Sequence, residues 1–155
     1  MHGYKSFNAD MTNRYGKKFE IGKIYEVNGP IKFGNNGNGF HMCKNMEDTF
    51  RYFDTSNIAV CEVNGFGKKK KYNDEYYGYY DMYAFEKIEI LKLLRRKEIL
   101  EYMLKTSPYR VARFIQLFNL YEDELELFED KFRNENKVID YINYYQKKRK
   151  DIWTK

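Results

Sequence analysis

The sequence is poor in the residues that build cross-links, metal centres and rigid turns. Its 155 residues include two cysteines, two histidines, two prolines and one tryptophan. Two cysteines exclude the disulfide framework that stabilises many small secreted domains, so a reduced, cytoplasmic setting is expected. No apolar run approaches the ~18 residues of a membrane-spanning helix, and no signal peptide is recognised. Neither export nor a membrane partner is therefore expected.

The soft metal ligands are few and badly spaced. His2, His41, Cys43 and Cys61 are the complete set, whereas a structural zinc site uses four ligands that include a closely spaced pair. We therefore predict no metal and no cofactor, and we interpret Cys61 as a buried structural thiol. A Cys–His nucleophile is not favoured either, because His41 and Cys43 would point the same way from an extended chain without a fixed hydrogen bond.

Aromatic residues are abundant, at 19% of the chain with 16 Tyr and 12 Phe, which indicates a core of packed rings. The net charge of +5 is uneven, since four of the five excess positive charges fall in residues 68–97. A local basic patch of this kind argues against general nucleic-acid binding by the whole surface.

The stretch Gly39–Val63 predicts a tight turn, a short helix and a strand in succession. Asn45 is a good N-cap, and Met46, Phe50 and Phe53 form one apolar helical stripe. Ile58–Val63 is apolar on both faces apart from Glu62, which is typical of a central strand. Further strands are expected at residues 3–7, 19–27, 31–33 and 87–94.

Helical periodicity begins at about residue 95. Ser107 and Pro108 form a helix start, and apolar stripes follow. The stripes are Val111, Phe114, Ile115 and Phe118; then Leu125, Phe128 and Phe132; then Val138, Ile139, Ile142 and Tyr145. We predict an α+β protein, in which a small antiparallel or mixed sheet with a short helix (residues 1–94) is followed by a tail of about three to four helices packed on it (residues 95–155).

Several blocks together resemble a known family. They are GYKSFN, FEIGKIYEV, GFHMCKNMEDTFRYF, AVCEVNGFG and KIEILKLLRRKEIL. In this order, over residues 3–103, they resemble a small domain of unknown function common in phage, prophage and other mobile-element genes, with GFHxC as its most specific part. The chain lacks the cysteines that often precede this block, and Met46 replaces a usual proline. The resemblance implies the cytoplasm of a bacterial host cell as the location.

The order of strand, glycine-led turn, GFH, helix and strand also loosely resembles the core of ADP-ribosyltransferases. That resemblance implies that Lys5 or His41 would bind the nicotinamide half of NAD. Glu62 would steady the developing oxocarbenium ion. The serine-threonine-serine strand of those enzymes is missing, however. We therefore favour a structural role, in which His41 hydrogen-bonds a backbone carbonyl and Glu62 pairs with Lys5 or a tyrosine hydroxyl.

The stretch KKKKYNDEYYGYYDMY is too polar for a core element and is expected to be a mobile loop or an exposed hairpin. Lysines beside rings are used for protein contacts and for single-stranded nucleic acids, and a plain solvated loop is the third interpretation. An acidic helix face farther on could imitate a phosphate backbone. The candidate partner-binding residues are Lys68, Lys69, Lys70, Lys71, Tyr72, Tyr76, Tyr77, Tyr79, Tyr80 and Tyr83, with Glu122, Asp123 and Glu126 on the acidic face.

These features favour a non-enzymatic protein that binds and inhibits a host defence macromolecule, either a protein or a ribonucleoprotein. The specific form we expect is an anti-CRISPR inhibitor of an RNA-guided nuclease. Two alternatives stay open: an NAD-using enzyme similar to ADP-ribosyltransferases, and an RNA-binding accessory protein.

Overall fold

The computed structural model describes residues 1–33, 37–51, 53–72 and 82–148. Within it the chain divides into two units, Met1–Leu94 and Arg95–Lys155. The first holds a five-stranded antiparallel sheet and the second holds the helices, so the predicted α+β class is confirmed. None of the helices in the described ranges combines the length and apolar character needed to cross a bilayer.

Four strands of the first unit close a ring, in which β5 pairs with β3, β3 with β1, β1 with β4, and β4 again with β5. The short strand β2 pairs with Lys87–Glu89 of β5 outside this ring. Two 3-10 helices, Met46–Arg51 and Thr55–Asn57, lie between β3 and β4. The strands are β1 His2–Asn8, β2 Ile24–Glu26, β3 Phe40–Cys43, β4 Ile58–Lys71 and β5 Met82–Leu94.

Strand β4 pairs along both of its edges, as the sequence predicts for the central strand Ile58–Val63. Its residues Ile58–Asn64 pair with β1 on one side, and Val60–Lys71 pair with β5 on the other. The strand continues through two glycines to Lys71, and β5 returns beside it, so the lysine-rich segment belongs to an exposed hairpin. Residues 73–81, between the two strands, lie outside the described ranges.

The interior of the strand ring is filled by apolar side chains, many of them aromatic. The Phe19 ring lies 5.0 Å from that of Phe7 and 4.7 Å from that of Tyr25. This agrees with the aromatic core expected from composition. The buried cluster comprises Phe7, Phe19, Phe40, Met42, Ala59, Cys61, Val63, Phe85, Ile88 and Ile90.

Three local expectations for the first unit need correction. The strand expected over residues 19–27 is reduced to Ile24–Glu26, because Gly22 has a left-handed φ of 87° and donates its N–H to the Ile90 carbonyl. The strand expected at residues 31–33 contributes only a bridge between Lys32 and Asn38. The helix that follows Asn45 is of the 3-10 type and ends at Arg51, before Phe53.

The second unit contains α1 Arg96–Leu104, α2 Pro108–Leu117, α3 Glu122–Lys131, α4 Asn136–Tyr141 and a π-helix, Ile142–Lys147. Helix α2 begins where Ser107 and Pro108 predict, and the first two apolar stripes are buried. The third stripe differs from expectation. Tyr145 is only partly buried and Gln146 is buried instead, because the π-helix changes which residues face the interior.

Gly65 allows a direct test of how closely the strand ring is packed. A Cβ atom at this position would lie 2.5 Å from a ring carbon of Phe85 and 2.7 Å from the Met42 sulfur. We expect Gly65→Ala to lower the free energy of unfolding in urea by about 1–3 kcal/mol, because the core must be overpacked to admit it. Lys69→Ala, on the exposed part of the same strand, should change it by less than about 0.5 kcal/mol. Equal stabilities for both variants would contradict the close approach.

Candidate functional site

Lys5 lies on β1 with its side chain on the core side of the sheet. The register places it opposite Cys61, and places its neighbour Phe7 opposite Ala59. Its ammonium group donates a 2.7 Å hydrogen bond to the main-chain carbonyl of His41 and lies 5.6 Å from the centre of the Phe7 ring. Since the registered pairing of β1 with β3 is Tyr4 opposite Cys43, this bond adds a second link between the two strands.

The surroundings of Lys5 alter its acidity. Burial lowers the pKa of its ammonium group to about 8, and the nearby Cys43 opposes this shift to a smaller extent. Lys5 is thus still mainly a cation at pH 7, with its charge directed at a carbonyl oxygen. The arrangement links strands and leaves the amine engaged with the main chain.

The His41 side chain lies on the opposite side of β3 from Phe40 and Met42, which belong to the core. Its ring stacks on Phe33 at 5.2 Å, and the Phe33 ring meets Tyr72 edge-on at 5.0 Å. Burial lowers the pKa of His41 to about 4, and the cations Lys5 and Arg14 add to this effect. The imidazole is therefore neutral at pH 7, and it is the main-chain carbonyl of His41, rather than its ring, that makes the bond described above.

Glu62 lies on the other face of the sheet from Lys5. It is opposite Tyr4 in the register, and side chains alternate along each strand. Its carboxylate lies 4.0 Å from Nε2 of His2 rather than beside Lys5. The structure thus brings Lys5 to the main chain of His41 and places the Glu62 side chain on the opposite face of the sheet from that of Lys5.

The two cysteines are buried and free, as expected for Cys61. Burial raises the pKa of Cys43 and of Cys61 to about 12, so both thiols stay protonated at neutral pH. The Cys61 sulfur lies 3.8 Å from that of Met11. Within the described parts of the chain, no group of three His, Cys, Asp or Glu side chains is arranged to hold a metal ion.

Lys68–Lys71 form the exposed end of β4, which we call the basic strand end. Lys69, Lys70 and Lys71 are in register with Phe85, Ala84 and Tyr83 of β5, and the Lys71 ammonium lies 5.7 Å from the Tyr83 ring centre. Because successive side chains of a strand point to opposite faces, the four lysines carry positive charge to both faces of the hairpin. The predicted contact residues Tyr76, Tyr77, Tyr79 and Tyr80 lie outside the described residues.

The position of the basic strand end allows two roles. Strand β1 pairs with β4 only as far as Asn64, so among the described strands none covers the edge of β4 beside Lys68–Lys71. Lysines on such an edge discourage pairing with other chains. The same lysines can contact an anionic partner, and the two roles are separable by experiment.

The acidic residues of α3 divide into two groups. Glu122, Asp123 and Glu126 are exposed, as expected for a contact face. Glu124 is buried, and both its oxygens accept 2.6 Å hydrogen bonds from the Arg96 guanidinium. This ion pair joins α1 to α3. It was not predicted from the sequence, where Glu124 is one of several neighbouring acidic residues.

Comparison with protein families gives one finding. The model of a domain of unknown function, DUF7666, matches residues 1–102. The chain belongs to this family. The DUF7666 match spans the whole sheet unit and most of α1, and it agrees with the expected resemblance to a domain of unknown function. No curated protein and no solved structure matches the chain.

The lowered pKa of His41 predicts a specific acid sensitivity. The unfolded chain takes up a proton on His41 below pH 6.5, whereas the folded protein resists this until about pH 4. Stability linked to His41 is thus present above pH 6.5 and is lost as the pH falls to 4, by at most about 3 kcal/mol. Between pH 7 and 4.5, His41→Gln should lose about 2 kcal/mol less unfolding free energy than wild type.

Urea unfolding at the two pH values measures this difference. His2→Gln removes the exposed imidazole near Glu62 and should lose as much stability in acid as wild type does. Identical acid losses for wild type and His41→Gln would show that the stacked ring is not kept neutral by its surroundings.

Proposed function

We propose that this DUF7666 protein is a non-enzymatic binding protein that contacts an anionic surface of a host macromolecule through the basic strand end. The observation that carries the proposal is that Lys68–Lys71 are exposed at the end of β4, where Lys69–Lys71 are held in register with β5 beyond a register shift after Phe66. Pairing fixes the backbone of Lys69–Lys71, so their charges are held in place before a partner arrives. Less ordering on binding leaves more of the interaction energy as affinity.

Rings next to the basic strand end extend the surface. Tyr72 directly follows Lys71, and the Tyr83 ring lies beside the Lys71 ammonium. The Tyr72 ring contacts Phe33, which in turn stacks on His41. Large rigid rings beside cations are favourable in contacts with proteins and with nucleic acids alike. The neutral His41 adds ring surface without adding charge.

The specific form of the proposal is a mobile-element protein that inhibits an RNA-guided CRISPR nuclease. Such a ribonucleoprotein offers both phosphates and basic grooves. The basic strand end fits the phosphates, and the exposed Glu122, Asp123 and Glu126 fit a basic groove. The placement of the Glu62 and Lys5 side chains on opposite faces of the sheet favours inhibition by binding over NAD chemistry.

Stoichiometry separates a binding inhibitor from an enzyme. When the protein is titrated into a purified RNA-guided nuclease with its guide and target DNA, we expect inhibition to saturate at about one protein per complex, with or without NAD, because a binding inhibitor must occupy each complex. DNA cleavage is measured on a gel at each ratio. NAD-dependent inhibition by far fewer copies than complexes would instead establish an enzyme.

A variant tests the lysines themselves. Replacing all four lysines, Lys68 to Lys71, with Ser should weaken inhibition. The loss relative to wild type should be largest at low salt, because exposed lysines mainly speed association and salt screens their charge. A control with Lys23, Lys44, Lys97 and Lys131 replaced by Ser has the same net charge and should inhibit like wild type. If the first variant inhibits normally but self-associates on a sizing column, the lysines protect the strand edge and the proposed contact is wrong.

A further inference from the structure

The second unit has its own surface of rings and cations, separate from the basic strand end. It crosses from α2 to α4 and runs along the π-helix. We call it the helical stripe, and its members are Tyr109, Arg113, Lys137, Tyr141, Tyr144 and Lys148.

At its α2 end the stripe is a chain of ring–cation contacts. The Arg113 guanidinium donates to the Tyr109 hydroxyl at 3.2 Å and lies 5.4 Å from the centre of that ring. The Lys137 ammonium lies 4.7 Å from the Tyr109 ring and 5.9 Å from the Tyr141 ring. Lys137 thereby joins the rings of two different helices.

The chain of contacts continues along the helix. Tyr145 meets Tyr141 edge-on at 5.2 Å and Tyr144 at 4.8 Å, and the Lys148 ammonium lies 5.1 Å from the Tyr144 ring. Tyr109 and Tyr144 are each 59% exposed. In the described part of the chain, neither Lys137 nor Lys148 lies within ion-pair distance of a carboxylate. Each exposed ring of the stripe thus has a cation beside it, Arg113 and Lys137 at Tyr109 and Lys148 at Tyr144.

A buried polar side chain holds this surface in place. Gln146 on the π-helix donates from Nε2 to the carbonyls of Ile115 (2.6 Å) and Phe118 (2.8 Å), and its Oε1 accepts from the Leu120 N–H at 3.2 Å. These bonds satisfy main-chain groups at the end of α2 that its own helix leaves without partners. The turn that carries Tyr144 and Tyr145 is therefore anchored to the end of α2 by three hydrogen bonds.

We propose that the helical stripe binds single-stranded nucleic acid. Bases stack on exposed rings and phosphates pair with cations beside them, and both exposed rings of the stripe have such a cation. Paired bases are already stacked on one another, so a single strand fits the stripe better than a duplex. This inference does not depend on the function proposed above.

Fluorescence anisotropy of labelled oligouridine RNA, oligothymidine DNA and a duplex of equal length tests the proposal with the full chain. We expect the single strands to bind more tightly than the duplex. Tyr109→Ala with Tyr144→Ala should weaken binding roughly tenfold or more. Lys137→Gln with Lys148→Gln should weaken it and also reduce its dependence on salt. Tyr15→Ala and Lys131→Gln are matched exposed controls that should bind like wild type.

Asp140 provides a test of opposite sign, because it is exposed and lies one helical turn from both Lys137 and Tyr144. Asp140→Asn should tighten binding of the single strands, since it removes a charge that repels phosphates. Circular dichroism and melting curves check that every variant is folded. Because the substituted side chains are exposed, we expect little change in stability.

Three results would overturn the proposal. The first is wild-type protein that binds no single strand at low salt. The second is stripe variants that bind like wild type while the Lys68–Lys71 serine variant loses all binding, which would leave the function proposed above intact. The third is displacement of the RNA by polyglutamate at equal charge concentration, which would identify an acidic protein as the occupant. Loss of nuclease inhibition alone would affect only the proposed function.

Discussion

The structure of the first unit depends on one constraint, which is that β4 must pair with β1 along one edge and with β5 along the other. This double pairing closes the strand ring and sets which residues face its interior. It also requires chain segments to come very close together, and Gly65 is small enough to pass the Phe85 ring and the Met42 sulfur. The aromatic core and the basic strand end both follow from the path of this one strand.

The same constraint separates residues that a looser fold could bring together. Alternation along β1 and β4 turns Lys5 toward the core and Glu62 toward the other face. Lys5 therefore helps to hold β1 to β3, since its ammonium group donates a hydrogen bond to the His41 carbonyl. The lysines at the end of the hairpin stay exposed, because β1 no longer pairs with that part of β4.

The sequence predicted the parts of the fold that have clear local signals. The central strand follows from the apolar run Ile58–Val63, the start of α2 from Ser107 and Pro108, and the first two apolar stripes from helical spacing. The sequence left open whether the segment with Lys68–Lys71 is a loop or an exposed hairpin, because glycine and lysine have low strand propensity. Pairing with β5 extends β4 to Lys71. The burial of Gln146 was not predicted, because the third apolar stripe assumes an α-helical period and the π-helix has a different one.

The candidate sites were less predictable than the fold. The exposure of Lys68–Lys71 was predicted, but the pairing of Lys69–Lys71 depends on β5, a separate strand later in the chain. The Arg96–Glu124 pair and the helical stripe join residues on different helices, so their sequence spacing has no simple period. Charge and ring content indicated what kind of contact to expect, while tertiary packing decided where.

Amide hydrogen exchange of the full chain, alone and with a purified RNA-guided nuclease complex, tests the central claim most directly. If the basic strand end is the contact, exchange at Lys68–Lys71 and at the paired residues Tyr83–Phe85 should slow on binding, because the partner covers this end of the hairpin. Slower exchange confined to β1 near His2 and Glu62, with the end of β4 unchanged, would place the contact on the other part of the sheet and contradict the account.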